Sequence, residues 1–246
     1  IHKFLGIEPS GGKKVGFDVA DEGADFNATA NVHGWIVTGL NEWKDRDPNS
    51  AAATVWNNAI EFGADEIFYD SIGVGAGAKG EFRQLVAKLE YSSVVPPSIT
   101  PFAANAGVIN PDEPYDEGHI VQTVSGVKHS YRTNADMFTN LKAQAYWAIR
   151  DRCYNAWKAR NGKDYDAENL ISFDSELIPE KVLSKMKGEA SQPRREYMNG
   201  KLRVEPKDRM AKRGVASPNI LEAVVMAFAP SEDMSMLDAI LSRKKR

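Results

Sequence analysis

Small and apolar residues alternate near the start of the chain in the pattern of a strand that buries one face. Val15, Phe17 and Val19 are the apolar positions of this predicted strand, which spans residues 14–20. Asp18 interrupts the run, and a charged side chain in a buried strand is costly unless it is paired or binds a cation. Further acids follow on a loop that contains a glycine: Asp21, Glu22 and Asp25. The pattern therefore predicts a strand that ends in a cluster of carboxylates.

The hydrophobic pattern of the remaining chain predicts strands and helices in an α/β order. Residues 27–32 and 34–40 are predicted strands that continue the first one as an antiparallel meander. A helix is predicted from the 47–50 cluster to Gly63, followed by a strand 66–70 that ends in Asp70. The later predicted elements are a helix through 82–89, a strand 99–102, a surface insertion 105–133, a long helix 134–160, a helix after Pro179, a hairpin 194–204 around Asn199-Gly200, and a last helix 219–228 with Ser217 as its N-cap. This order predicts an α/β fold with a ribonuclease-H-like mixed sheet flanked by helices.

The composition is that of an ordinary globular domain and carries no overall signal for nucleic acid. The 246 residues include 26% charged residues and give a net charge of −3, so any binding to DNA must rest on local patches. The single cysteine, Cys153, falls on the apolar face of the predicted long helix and is predicted to lie in the core. No apolar run nears the ~18 residues of a membrane span, so no membrane association is expected.

The second anchor of the predicted site is Asp70, which closes the strand 66–70. Two strands that each end in an aspartate can place both carboxylates at one edge of a sheet, where a divalent cation relieves their repulsion. Oxygen ligands without histidine or cysteine favour Mg²⁺ or Mn²⁺ over zinc, and the histidines are not spaced as a zinc site requires. We therefore predict a metal-dependent nuclease with Asp18 and Asp70 as metal ligands.

A glycine-rich run, Gly73–Gly80, follows Asp70 and matches two nucleotide-binding motifs imperfectly. Against the phosphate-binding loop, Ala78 stands in place of the second glycine, and Gly80 replaces the hydroxyl residue that binds magnesium. Against the dinucleotide motif G-x-G-x-x-G, only the permissive form matches, and the preceding aspartate would face a pyrophosphate unfavourably. We interpret the run as an open loop near a helix start that admits a DNA backbone.

Four stretches, taken together, resemble a single family of proteins. They are Gly16–Asp25, Tyr69–Gly75, Phe138–Trp147, and Lys207–Gly214 leading into Ser217–Ala223. In this order they resemble the nuclease domain of the large terminase subunit of tailed bacteriophages, the DNA-packaging motor protein. Each stretch is weak alone, whereas four in the family's order are specific.

The resemblance implies a ribonuclease-H-like domain whose acids bind two Mg²⁺ or Mn²⁺ ions and cut concatemeric double-stranded viral DNA during packaging. It divides the chain into a linker from a preceding ATPase domain (1–13), the nuclease domain (14–230) and a basic C-terminal tail (231–246). No phosphate-binding loop is found in this sequence, so we expect cleavage without ATP hydrolysis. The implied partners are double-stranded DNA and, in the full-length protein, the ATPase domain, the small terminase subunit and the portal, at the procapsid in the host cytoplasm.

The resemblance also implies a third acidic position, near the start of the last helix. The family pattern there is roughly Ser-Pro-Asp-x-x-Asp-Ala, and this chain departs from it with Asn219 and Glu222. Glu222 keeps the negative charge, so we expect it to complete a catalytic triad with Asp18 and Asp70. The expected auxiliary metal ligands are Asn219, Asp21 and Asp25.

Basic residues late in the chain are candidate phosphate contacts. They are Arg194, Arg195, Lys201 and Arg203 of the predicted hairpin, together with Lys128, His129 and Arg132. Such contacts position DNA without reading its sequence, so cleavage should be weakly specific and sensitive to salt. An equally open alternative is that the hairpin charges only protect a solvated edge strand. Two alternative functions are a junction resolvase on the same fold and a non-catalytic docking module of the packaging motor.

Overall fold

The computed structural model describes residues 1–20, 25–73, 75–88, 94–115, 119–123 and 126–230, with the backbone alone at residue 76 and within 119–130. The elements are, in chain order, α1 (His2–Leu5), β1 (Lys13–Asp18), β2 (Asn27–His33), β3 (Ile36–Trp43), α2 (Pro48–Phe62), β4 (Glu66–Asp70), α3 (Gly75–Lys88), β5 (Ser98–Phe102), β6 (His119–Thr123), β7 (Gly126–Ser130), α4 (Asn134–Met137), α5 (Leu141–Arg160), β8 (Ser172–Phe173), α6 (Glu180–Ala190), β9 (Arg195–Met198), β10 (Lys201–Val204), α7 (Lys207–Lys212) and α8 (Asn219–Ala227).

A mixed sheet forms the centre of the domain, with six strands in the order β5-β4-β1-β2-β3-β8. The first three strands pair as the predicted antiparallel meander. On the other side of β1 the pairing becomes parallel, because β4 runs alongside β1 and β5 alongside β4. Helices cover both faces of this sheet, which confirms the predicted α/β class.

The two faces of the sheet bury different residues, because successive side chains of a strand point to opposite sides. Val15 and Phe17 of β1 pack together with Tyr69 of β4 in the core that includes α2 and α3. Phe68 faces the other way and packs in the core formed with α5 and α8. Asp18 and Asp70 continue the alternation on the side of Phe68, so both strands end with a carboxylate on the α8 side.

Helix α8 is buried along its length and lies directly against β1. The approach requires glycine at position 16, since a Cβ there would lie 1.9 Å from the carbonyl oxygen of Ala223 and 2.9 Å from the backbone nitrogen of Ala227. This close contact fixes the helix across the strand that ends in Asp18. It therefore brings the first turn of α8 to the edge of the sheet where the aspartates lie.

The prediction of one helix over 134–160 is wrong, since the chain forms α4 and α5 with a break between them. Asn140 is the N-cap of α5, and its side-chain oxygen accepts from the backbone nitrogen of Ala143 at 3.0 Å. Phe138 takes an extended conformation in the break and is buried, bridged to Leu202 of β10. A local cap and a long-range strand bridge thus interrupt a run that looks continuous in hydrophobic periodicity.

Two further expectations for this region are corrected by the structure. Cys153 is exposed rather than in the core, because the buried positions that follow Ile149 in α5 are Asn155 and Ala159, so the buried face of the helix turns away from Cys153. The glycine-rich run is not an open loop, since α3 begins at Gly75. A Cβ at Gly75 would lie 1.8 Å from the carbonyl oxygen of Asp70, so the helix begins directly against the end of β4.

The Asn199-Gly200 turn is confirmed, with positive φ values of 53° and 78° that a type I′ hairpin requires. At the opposite end of the chain, His2 of α1 is buried and its Nδ1 lies 2.8 Å from Ser172 Oγ of β8. None of the helices described here has the length and apolar character that a bilayer crossing needs. The predicted basic tail 231–246 lies outside the described residues.

Candidate active site

Asp18 and Asp70 lie side by side because β1 and β4 are parallel neighbours that end together. Phe17 pairs with Tyr69 in the register of the two strands, and the next residue of each strand is the aspartate. Asp18 is only 3% exposed. Asp70 is half-buried, and its Oδ1 accepts from the backbone nitrogen of Ile72 at 3.0 Å. The predicted placement of two carboxylates at one edge of the sheet is confirmed.

Burial and neighbouring charges shift the pKa values of both aspartates. Burial raises the pKa of Asp18 well above its usual range, and the charges of Glu222 and Asp70 raise it further, against the opposing charges of Lys207 and Lys142. Burial is also the largest cause of the raised pKa of Asp70, to which Glu222 adds. Burial and the neighbouring carboxylates therefore make the ionised form of Asp18 less favourable than that of a free aspartate.

Glu222, from the first turn of α8, is the third carboxylate and is 6% exposed. Its Oε1 accepts from Lys142 Nζ at 2.6 Å and from the hydroxyl of Tyr146 at 2.7 Å. Burial alone would raise the pKa of Glu222, but the charges of Lys142 and Lys207 and these two hydrogen bonds outweigh it, so the pKa is lowered. Glu222 is therefore the carboxylate of the group that stays ionised most readily.

A second lysine, Lys207 at the start of α7, faces the same group of carboxylates. Desolvation would lower the pKa of Lys207, but the charges of Asp18, Glu222 and Asp70 raise it above its usual value. The sequence analysis assigned no role to Lys207, Lys142 or Tyr146. Lys142 and Tyr146 are spaced as neighbours on one helical face, which is the signal that could have found them.

The predicted auxiliary ligands are only partly brought to the site. Asn219 is 3% exposed and its Nδ2 donates to Asp25 Oδ1 at 3.3 Å. Asp25 also contributes to the raised pKa of Lys207, so it lies at the rim of the same group. Asp21, by contrast, lies outside the described residues.

The donor set fits a hard divalent cation in chemistry: Asp18, Asp70, Glu222 and Asp25 offer carboxylate oxygens, and the charge of Glu222 raises the pKa of both Asp18 and Asp70. In the described part of the chain, however, no group of three or more His, Cys, Asp or Glu side chains is arranged to hold a metal ion. The hydrogen bonds from Lys142 and Tyr146 hold Glu222 Oε1. The carboxylates have the chemistry of metal ligands, and in this structure Lys142 and Lys207 balance their negative charge.

The basic residues predicted to contact phosphates are distributed around the β9–β10 hairpin. Lys201 and Arg203 share the hairpin face opposite to the buried Leu202. Arg132 donates to the carbonyl oxygen of Asp136 and, at 3.1 Å, to that of Gly200 in the turn. Arg132 thus lies beside the hairpin although it is not part of it.

The two other hairpin arginines are exposed: Arg194 lies just before β9, and Arg195 sits with its guanidinium 5.5 Å from the ring centroid of Tyr197. The side chains of Lys128 and His129 on β7 lie outside the described residues. The hairpin thus carries cations on both faces, because Arg195 pairs with Val204 on the face of Leu202 while Lys201 and Arg203 lie on the other face. Arg132 donates to its turn.

Comparison with solved structures identifies the family. The nuclease domain of the large terminase subunit gp2 of bacterial virus Sf6 matches with a TM-score of 0.74 and 33% identity, over 94% of this chain and 93% of that chain. A lysine-to-alanine variant from the same phage, with calcium, matches with a TM-score of 0.79 and 31% identity over the same shares. This chain belongs to the phage large terminase family.

As a terminase nuclease domain, the chain has the ribonuclease-H-like fold that the order of its elements predicted. A further structure of the Sf6 domain, the lysine-to-alanine variant with manganese, matches with a TM-score of 0.78 and 30% identity over 94% of this chain and 93% of that chain. No protein-family model matches the sequence, and no curated protein matches it. The terminase assignment therefore rests on the solved structures together with the geometry of the site.

Proposed function

We propose that this terminase nuclease domain is a Mg²⁺- or Mn²⁺-dependent endonuclease that cuts concatemeric double-stranded viral DNA during packaging, with two ions. The observation that carries the proposal is the pair Asp18 and Asp70 on adjacent strand ends beside the buried carboxylate of Glu222. Structures of the related Sf6 domain hold manganese or calcium, which supports a divalent cation at such a site. Its other partners would be the ATPase domain, the small terminase subunit and the portal.

The chain's own residues have distinct tasks in this proposal. Asp18 and Asp70 would be ligands shared by the two ions. Glu222 would complete the ligand set once its Oε1 is released from the hydrogen bonds with Lys142 and Tyr146. When bound, the two ions supply an activated water and stabilise the leaving 3′-oxygen. Lys207 holds positive charge near the carboxylates, which opposes the effect of burial on the pKa values of Asp18 and Asp70 and favours the approach of a phosphate.

The hairpin cations and Arg132 would hold the DNA backbone near this edge of the sheet. Lys201 and Arg203 share one half-buried face of the hairpin, and Arg132 is hydrogen-bonded to the turn between the strands, so all three place positive charge on the hairpin. Contacts of this kind go to phosphates and carry no sequence information. Cleavage should therefore weaken as salt increases and show little preference for base sequence.

The test of the proposed activity is cleavage of supercoiled and linear plasmid DNA by the purified domain. We expect cutting with Mg²⁺ or Mn²⁺ and none with EDTA, because the carboxylates need a divalent cation to engage a phosphate. A four-way junction cut in preference to linear duplex would indicate the resolvase instead. Cutting that persists in EDTA, or that requires zinc alone, would contradict the proposal.

Asp18→Asn and Asp70→Asn should each lower the cleavage rate at least about a hundredfold, to an undetectable level. Each substitution removes a charged metal ligand, and the metal contributes several kcal/mol to transition-state stabilisation. Both variants should remain folded by circular dichroism, because removing one charge from a repulsive group relieves it. Asp112→Asn is the matched control, since Asp112 is exposed and far from the site in sequence. Near wild-type activity in either site variant excludes that aspartate as a ligand.

A further inference from the structure

The first turn of α8 carries both Asn219 and Glu222, yet it has no cap of its own. Its N-cap residue is Pro218, which makes no side-chain cap hydrogen bond. Ser217, the N-cap predicted from the sequence, has a buried Oγ without a hydrogen-bond partner in the described part of the chain. The free backbone N–H groups of a buried helix start need an acceptor, because leaving them unpaired is costly.

That acceptor comes from a different helix. Glu189, in the last turn of α6, is 5% exposed, and its Oε2 accepts from the backbone nitrogen of Leu221 at 2.9 Å. The backbone N–H of Ile220 also acts on this carboxyl and favours its charged form. Glu189 thus does for α8 what a local serine or aspartate does at most helix starts. A carboxylate at this position also complements the positive end of the helix dipole.

The surroundings of Glu189 leave it little other support. Lys185, one turn earlier in α6, lies 4.0 Å from Glu189 Oε1 and pairs more closely with Glu42 of β3. Glu189 Oε1 and Glu42 Oε1 are both buried without a hydrogen-bond partner among the described residues. Tyr146 of α5, whose pKa Glu189 helps to raise, also faces it. Among the described residues, the backbone hydrogen bonds that the Glu189 carboxyl accepts from another element therefore come from α8.

We propose that Glu189 is a positioning residue of the active site: by capping α8 from α6, it fixes the turn that presents Asn219 and Glu222 to the aspartates. The proposal rests on the proposed nuclease function and extends it to a residue that touches neither DNA nor metal. Leu221, which Glu189 binds, immediately precedes Glu222 and also lines a cavity beside Tyr146. A loosened first turn would move Glu222 away from Lys142 and from the edge of the sheet.

The experiment compares Glu189→Ala, which removes the acceptor, with Glu189→Gln, which keeps an oxygen and loses the charge. At equal folded fraction, Ala should lower the rate of plasmid cleavage by about tenfold, in line with the usual cost of losing a cap, and Gln should restore most of it. Ser217→Ala is the matched control at the same helix start and should cleave like the wild type.

The pH profile separates positioning from simple stability. Burial raises the pKa of Glu189 to about 7, opposed by the N–H of Leu221 and by Lys185. The ratio of wild-type to Gln rates should therefore exceed one above neutral pH and approach one below it, while the ratio to Ser217→Ala stays constant. If Glu189→Ala does not fold, the ratio of wild-type to Glu189→Gln rates is the deciding measurement of cleavage. A ratio that does not change with pH overturns the proposal.

Hydrogen exchange of the Leu221 amide gives a readout without DNA or metal. Exchange should be faster in Glu189→Ala than in Glu189→Gln, since only the first loses the acceptor. A folded Ala variant that cleaves at the wild-type rate, or a Gln variant no better than Ala in both assays, overturns the proposal. If the wild type itself does not cut DNA, the nuclease function fails, and the amide exchange still decides whether Glu189 holds this turn.

Discussion

Glu222 and Asn219 share a face of α8, and substituting each separates charge from geometry at the third position of the site. Glu222→Gln should lower cleavage nearly as far as Asp18→Asn, by about a hundredfold or more, because a neutral amide offsets less of the repulsion between two cations. Asn219→Ala should cost less. The measurement is the initial rate of plasmid nicking with Mn²⁺, with Glu180→Gln on exposed α6 surface as control.

The opposite result would reassign the third ligand. If Glu222→Gln cuts normally while Asn219→Ala is inactive, Asn219 completes the site and Glu222 only holds Lys142 and Tyr146. In that case Asn219→Asp, which restores the carboxylate of the family pattern, should raise metal affinity. Metal titration followed by cleavage rate distinguishes the two assignments.

Glu189 should also make the stability of the protein depend on pH. Burial raises its pKa from 4.5 to about 7, so the folded state holds this proton more tightly than the unfolded state. Stability from this group is complete below the unfolded value and is lost as pH rises through about 7. Relative to Glu189→Gln, the wild type should lose up to about 3 kcal/mol of unfolding free energy over this range. Urea unfolding at several pH values measures it, and parallel profiles for the two proteins contradict it.

At the scale of single residues, the sequence predicted the aspartates and missed the groups that hold the third carboxylate. Asp18 and Asp70 stand out because each closes an apolar strand, which is a local signal. Lys142, by contrast, is separated from Glu222 by 80 positions and pairs with it only in the folded chain. Ser217 was predicted as a cap from a local rule, and a distant carboxylate took that place.

Among the elements, the contact between β1 and α8 is one that a single methyl group should break. Gly16→Ala places a Cβ 1.9 Å from the carbonyl oxygen of Ala223, so backbone must move, and we expect a loss of about 3 kcal/mol or more. Gly188→Ala is the control, because Gly188 lies inside α6 with nothing within 4 Å of the added Cβ.

The control substitution should stabilise the protein by about 0.5–1 kcal/mol, as alanine does in a helix. Thermal unfolding of both variants tests the pair. A Gly16→Ala protein as stable as the wild type would mean that α8 does not need to lie so close to β1.

Element boundaries that depend on local signals were predicted well, whereas those that depend on tertiary contacts were not. The hairpin turn followed from Asn199-Gly200 alone, and the observed φ values agree. The extended conformation of Phe138 in the break could not be predicted, because the bridge to Leu202 that accompanies the local Asn140 cap lies far along the chain. The early start of α3 likewise depends on how closely Gly75 packs on the end of β4.

Across the whole molecule, the order of elements was sufficient to predict the class of fold but not the placement of the helix that carries the third carboxylate of the site. The predicted antiparallel meander and the predicted strand after α2 were sufficient to predict a mixed sheet. The position of α8 on β1 came only from the structure, since nothing near Gly16 in sequence indicates which helix would cover it. The site is therefore a junction of the first strand, the fourth strand and the last helix.

This junction has a consequence for the newly made protein. The ribosome synthesises Asp18 and Asp70 well before Glu222 and the helix that carries it. Under the proposed function, a nascent or prematurely ended chain holds two of its acids and cannot complete the cutting site. Cutting then begins only after α8 has been synthesised and packed on β1, so copies that end before α8 present no hazard to the DNA around them.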